Sequence, residues 1–380
     1  MSKIILKNNF IFLDLLRGIS AILVFIGHLR GMLFVNFKIA SSNVFERVFY
    51  FITGFGHEAV IIFFVLSGFF IVRSIMNSIA RGDWNFKEYF FNRTIRLGVV
   101  VVPALFFTLI LDYIGGNLIN NFDFYSKPLV MGNFIVGENS SFSILLGNLF
   151  YLQTIIVPTF GSNGPLWSLS NEFWYYILFP VMLFSILNYY SFRIRALLIL
   201  IFFSLLYFLF DNVLMYFIIW LLGGASFFVV KNNYLNMIKR RSVISISSFL
   251  LLLIIIRTKL FNQINSDLIL GLATFVLIPV LIEMHMKTKL FISFSKISSK
   301  ISFSLYVFHF PLVVFLSSFY NGNTLVFSFG NFMIFVVLFS VILAYCYLCY
   351  QLFEKNTKKV NYFVKKIIFR KRTTVKILSM

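Results

Sequence analysis

The chain has 380 residues, 60% of them hydrophobic, 20% aromatic and only 12% charged, against about 45–50% apolar in ordinary soluble domains. Too few polar side chains remain to coat a water-soluble globule, so a dissolved protein is excluded. The net charge of +20 would suit nucleic acid. Its basic residues instead cluster in short segments between apolar runs, as the positive-inside rule requires of a membrane protein, and no nucleic-acid partner is expected.

In chain order, apolar runs long enough for a hydrocarbon core of about 30 Å are read at 10–34, 57–79, 97–115, 168–190, 196–210, 212–230, 243–258, 267–286, 301–318 and 326–352. The fold predicted is all-α, a polytopic membrane protein of ten spans. The short fifth and sixth runs suggest a tight helical hairpin around Asp211 and Asn212. Residues 1–353 form the membrane domain, and 354–380 a basic tail. With Phe363, Ile367 and Ile368 at helical spacing, that tail suits the surface of anionic lipid.

Charge tests the count. With the N-terminus inside, the cytoplasmic segments hold 26 Lys and Arg and the outer segments 6, which favours an even number of spans and both termini in the cytoplasm. Phe142–Phe160 is apolar enough to cross and would break this parity. Gly147, Asn148 and Gln153 interrupt it and Pro158 ends it, so a re-entrant or interfacial element is expected, with its irregular backbone buried in protein. The first run carries Asp14 and Arg17 and lacks a small-residue cleavage site, so no secretory signal is expected. Cys346 and Cys349, three residues apart in the last run, suit small packing residues rather than a disulfide or a metal site.

Ionisable groups inside a bilayer are costly and mark functional candidates. In the first span, His28 follows Arg17 by eleven positions. That separates them by about 20° around a helix and roughly 16 Å along it, so both face one cleft. Two uses fit: a functional channel, or Arg17 paired with Asp14 and His28 as an interior histidine. The second span holds Phe63-Phe64 and Ser67-Gly68, a small surface for a slim substrate or for another helix. Arg73, Arg93 and Arg96 gather near the cytoplasmic surface, where they suit phosphate groups or lipid headgroups. Glu172 is an acid in an aromatic-rich helix opening with Pro165-Leu166-Trp167-Ser168. Tyr306 and His309 lie one turn apart on one face of the ninth span, and His285 reads as a surface residue.

Arg17-plus-ten-plus-His28, Phe63-Phe64-x-x-Ser67-Gly68-x-x-Ile71, Pro165-Leu166-Trp167-Ser168-Leu169-x-x-Glu172 and Ser304-Leu305-Tyr306-x-x-His309-x-Pro311 occur in order. Together they resemble the membrane acyltransferase type 3 family over most of residues 10 to 350. In that family paired basic residues often precede a nearby proline, whereas Pro103 lies farther from Arg93 and Arg96 here. The resemblance implies an enzyme of the bacterial inner membrane that transfers an acyl group from acetyl-CoA to a hydroxyl of an exported carbohydrate such as O-antigen or capsule. It marks Arg17, His28, Phe63, Phe64, Ser67, Gly68 and Glu172. The expected scheme has His28 as general base and Glu172 orienting it or holding the sugar. Arg17 holds the donor or stabilises negative charge. Arg73, Arg93 and Arg96 meet the CoA phosphates, with the pantetheine arm passing Ser67 and Gly68, and no metal is required. The rival reading is a transporter without chemistry, for which no inverted repeat or pair of broken helices is visible.

Overall fold

A computed structural model of the chain describes residues 10–37, 43–119, 121–132, 134–209, 212–232, 242–257, 263–285, 287–320 and 324–377. Asp211 and the cluster Lys239, Arg240 and Arg241 lie outside the described residues, as does the side chain of Ile368. The described chain is helical, with no β-strand. Its helices are α1 (Ile11–Leu33), α2 (Val44–Ile52), α3 (Gly56–Arg81), α4 (Phe86–Tyr113), α5 (Phe122–Tyr125), α6 (Phe142–Leu149), α7 (Trp167–Ile186), α8 (Phe192–Phe208), α9 (Asn212–Lys231), α10 (Ser242–Arg257), α11 (Gln263–Glu283), α12 (Lys289–Ser318), α13 (Phe329–Leu352) and α14 (Thr357–Ile377).

Among the described residues, seven helical stretches are long and apolar enough to cross a bilayer: Ile11–Leu33, Val44–Arg81, Phe86–Leu118, Val213–Lys231, Asn265–Glu283, Lys289–Ser318 and Phe329–Ile367. The protein is thus a multi-pass membrane protein. The other three predicted spans are helices α7, α8 and α10. α8 and α10 have 17 and 16 residues, short of the roughly 20 that a straight crossing needs. α7 has 20 residues but opens with Ser168, Ser170, Asn171 and Glu172. The segment at Phe142–Phe160 is no span: α6 has eight residues, about 12 Å of helix. The chain then turns at Tyr151 and Thr154, both at positive φ. Its irregular backbone is paired internally. Asn148 donates to the carbonyls of Ile144 and Pro158 and accepts from the Phe160 N–H, and Gln153 donates to the Leu166 carbonyl.

α1 packs along α12 and α3, α3 along α9, and α9 along α11, while α12 also meets α4 and α13. α8 packs along α7 rather than closing a hairpin on α9, and no residue of α8 is buried. The connection at Asp211 that suggested a hairpin lies outside the described residues. α14 lies against α4, with Lys365 Nζ 2.7 Å from Glu88 Oε1 and Asn361 bonded to Asn92. Phe363 and Ile367 stay exposed. Cys346 and Cys349 are buried and free, and His285 is exposed.

Two features let α3, α9 and α11 approach closely. Ideal Cβ atoms on Gly68 and Gly223 would collide with the carbonyl oxygens of Trp220 and Val65, so α3 and α9 meet backbone to backbone. Pro279 inside α11 cannot donate to the carbonyl four residues earlier, which is Phe275. Ser226 of α9 bonds that oxygen at 2.9 Å. Gly68 therefore faces α9, and its packing use is the one realised. Gly68→Val should lower the thermal unfolding midpoint of detergent-solubilised protein, with a cost of about 1–3 kcal/mol or more, because the obstructing atom is backbone. An unchanged midpoint would reject this account of the α3–α9 contact.

Candidate active site

One cavity of about 130 Å³ opens among α1, α3, α4, α7 and α12. It brings together Arg17, Phe63, Phe64, Ser67, Arg93, Arg96, Ser168, Glu172 and Tyr306, all named from sequence, and adds Tyr176, Ser302 and Glu354. A second hollow of about 510 Å³ adjoins it, lined by Ser74, Arg81, Asp83, Asn85, Glu88 and Asn92. Arg93 and Arg96 line both. Arg73 and Gly68 line neither: Arg73 stands over the Phe10 ring at 4.4 Å, and Gly68 packs on Trp220.

The acidic wall is built from α3 and α7. Glu172 Oε1 accepts from Ser67 Oγ at 2.9 Å and from the Tyr176 hydroxyl, one turn farther along α7. Trp220 Nε1 donates to Ser67 Oγ at 3.3 Å. Glu172 thus belongs to this network and not to His28. Arg17 stands 4.5 Å from the Phe70 ring centroid, a contact worth about 2 kcal/mol when desolvated. Asp14 accepts from Ser299 Oγ at 2.9 Å. Among the described residues no ion pair within 4 Å joins Arg17 to it. The structural use of Arg17 as a partner for Asp14 is not realised, and the guanidinium is left facing the cavity.

Glu354, the only acid in the tail after the last span, reaches back to α12. Its Oε2 accepts from Ser304 Oγ at 2.6 Å and from the Ser304 N–H at 3.1 Å. A lone acid at the head of a basic tail is the sequence signal that could have placed it in the site. Arg93 is steadied by Ser74, with Nη2 donating to Oγ at 3.0 Å.

His28 lies deeper along α1 and does not line the cavity. The single cleft expected from their spacing is not what is found, because the helix places Arg17 at the cavity and against Phe70 of α3, and His28 against α12. Arg17 faces the cavity that Ser299, Ser302 and Tyr306 wall, while His28 Nδ1 meets His309 Nε2 at 2.8 Å. Tyr306 separates the two levels. Its hydroxyl bonds Ser168 Oγ at 2.6 Å and the Pro165 carbonyl at 3.1 Å, and its ring centroid is 6.3 Å from that of His309.

The turn of α12 that carries Tyr306 and His309 is set by Pro311. Lacking an N–H, Pro311 leaves the Val307 carbonyl without its helical donor. Asn163 Nδ2 supplies one at 3.1 Å and also reaches Thr108 Oγ1 at 3.3 Å. Asp112 of α4 holds the same loop by accepting from the Ser162 N–H at 2.8 Å. Sequence reading missed Asn163, although the proline already implied an orphan carbonyl.

A family model described as an acyltransferase domain matches residues 10–351 of the chain, a range that contains every motif and all but one of the cavity residues. The chain belongs to the membrane acyltransferase type 3 family. No curated protein and no solved structure matches it significantly. The acyltransferase therefore holds a basic pair, an acidic wall and a histidine pair within one bundle, with Glu354 three residues past the matched range. Asn163→Leu strands the Val307 carbonyl at a cost of about 1–3 kcal/mol. It should lower the unfolding midpoint in detergent, and an unchanged midpoint would remove Asn163 from the support of this turn.

Proposed function

We propose that this acyltransferase carries an acetyl group from acetyl-CoA, entering from the cytoplasm, to a hydroxyl of a cell-surface carbohydrate such as O-antigen or capsule. The bacterial inner membrane is its site of action, with ten spans and both termini inside. The observation that carries the reading is the sharing of Arg93 and Arg96 between the outer hollow and the buried cavity. A ligand with phosphates at one end and a slim arm at the other fits such a path, because guanidinium groups bind phosphate bidentately and the cavity beyond is lined by Phe63, Phe64 and Ser67. A transporter of neutral solute has no use for this asymmetry.

In the reaction the acceptor oxygen bonds to the thioester carbon, the carbon–sulfur bond breaks, and CoA leaves as a thiolate. His28 takes the proton of the acceptor hydroxyl and returns it to the leaving sulfur. Arg17, without a carboxylate partner at ion-pair distance, is available to negative charge that develops at the thioester oxygen. Glu172, fixed by Ser67 and Tyr176, holds the polar part of a substrate through its second oxygen. Tyr306 has to release Ser168 or Pro165 for the thioester to reach His28.

Orientation is checked with Asn85→Cys and Asp123→Cys, both exposed positions, in a chain lacking Cys346 and Cys349. An impermeant thiol reagent added outside the cell should label position 123 and spare 85, and the reverse pattern overturns the orientation. The chemistry is followed as thiol released from acetyl-CoA in membranes that retain the cell's own glycan. Arg96→Gln should raise the KM for acetyl-CoA about tenfold with little change in turnover, since a phosphate contact persists unchanged through the reaction. His28→Gln should lower turnover about a hundredfold and leave KM nearly constant. A parent chain that releases no thiol sinks the proposal.

A further inference from the structure

Four histidines occur in the chain, and two meet in its interior. His28 of α1 and His309 of α12 are 281 residues apart in sequence, yet His28 Nδ1 lies 2.8 Å from His309 Nε2 and the ring planes differ by 9°. The other ring nitrogen of His309, Nδ1, is 2.8 Å from the carbonyl oxygen of Leu305, one turn earlier in α12. A carbonyl oxygen only accepts, so His309 Nδ1 carries hydrogen. In a neutral imidazole the second nitrogen is then a lone pair. The atom facing it has to donate. His28 Nδ1 therefore bears the hydrogen, and His28 Nε2 is left unprotonated.

The surroundings hold this arrangement. His309 is fully buried, with the Phe25 ring at 5.6 Å, and Phe310 stands edge-on to His28 at 4.8 Å. His28 itself is only partly buried, and no hydrogen bond among the described residues occupies its Nε2.

We infer that His309 is a positioning residue for acyl transfer: the chain from the Leu305 carbonyl through His309 fixes His28 in the tautomer whose Nε2 can take a proton from an acceptor hydroxyl. The inference rests on the proposed role of His28 as base. A second ring partner that sets tautomer and orientation is the device by which a histidine is prepared for one job among two. As the acceptor oxygen bonds to the thioester carbon, its proton moves to His28 Nε2. His28 then has hydrogen on both nitrogens, and the positive charge is met by the lone pair of His309 Nε2. Passing the Nε2 proton to the CoA thiolate restores the starting state.

The test uses the full chain in lipid nanodiscs with isotope-labelled histidine ring nitrogens, each signal assigned by replacing the histidines in turn. Nitrogen chemical shifts distinguish protonated from unprotonated ring positions. Hydrogen on Nδ1 of both His28 and His309 is the expected result near neutral pH. In His309→Phe the His28 hydrogen should redistribute toward Nε2. Thiol release should fall about ten- to a hundredfold, with the KM for acetyl-CoA changed by less than about twofold. His309→Gln, whose amide oxygen can accept from His28 Nδ1, should keep the tautomer and recover turnover to within about threefold. If the Phe variant does not fold, His309→Asn, too short to reach His28, takes its place. Hydrogen on His28 Nε2 in the parent chain, or an unaltered tautomer in the Phe or Asn variant, overturns the inference. The spectra report the tautomer whether or not acetyl-CoA is turned over, so a failure of the donor assignment is seen separately.

Discussion

Inside hydrocarbon no water is available to a backbone carbonyl, and each one left unpaired costs free energy on the scale of a lost hydrogen bond or more. The interior of this bundle is organised around that constraint. Pro279 and Pro311 each free one carbonyl, and each is answered by a polar side chain from another element, Ser226 for Phe275 and Asn163 for Val307. Prolines that would weaken isolated helices become fixed points of contact between elements. The contact at Pro311 matters most, because the turn it shapes carries Tyr306 and His309. The helix that builds the site is thereby pinned to the loop before α7.

Charge in the site follows a related logic. Arg17 stacks on Phe70 and Asp14 accepts from Ser299, with no ion pair within 4 Å between them among the described residues. Glu172 and Glu354 are held by hydroxyl groups rather than by cations. Hydroxyl donors orient a carboxylate while leaving its charge in place. Opposite charges are thus kept apart around one cavity, which is the condition for either to act on a substrate.

The sequence disclosed the solvent, the helical class and most of the cavity, because hydrocarbon imposes length and apolarity on each span and makes every embedded charge conspicuous. Arg17 and Glu172 stood out for that reason, and Arg93 and Arg96 as a basic cluster at the cytoplasmic surface. The failures are equally physical. Helices α8 and α10 were legible as apolar runs, but such a run does not say which neighbour the helix will choose. Gly68 and Ser67 adjoin in sequence and point to opposite uses, one to a helix contact and one to the cavity, a difference set by which face α9 approaches. The bond from His28 to His309 spans nearly the whole chain, and no local pattern encodes a contact of that range. Asn163 falls between the segment ending at Phe160 and the span starting at 168, and Glu354 in the basic tail, where single polar residues are ordinary.

The segment from α6 to the start of α7 is joined to α12 twice, through Asn163 to Val307 and through the Pro165 carbonyl to Tyr306. This has a consequence for how such a protein can diversify. A surface loop is ordinarily free to vary, since its changes stop at its own ends. Here a substitution that reshapes 142–166 is transmitted to the turn bearing His309. Freedom to vary is therefore left to the exposed flanks of the segment, such as Phe142, Phe150 and Ile156. Asn163 and Pro165 are bound to the sequence of α12, and change at either side requires a matching change at the other.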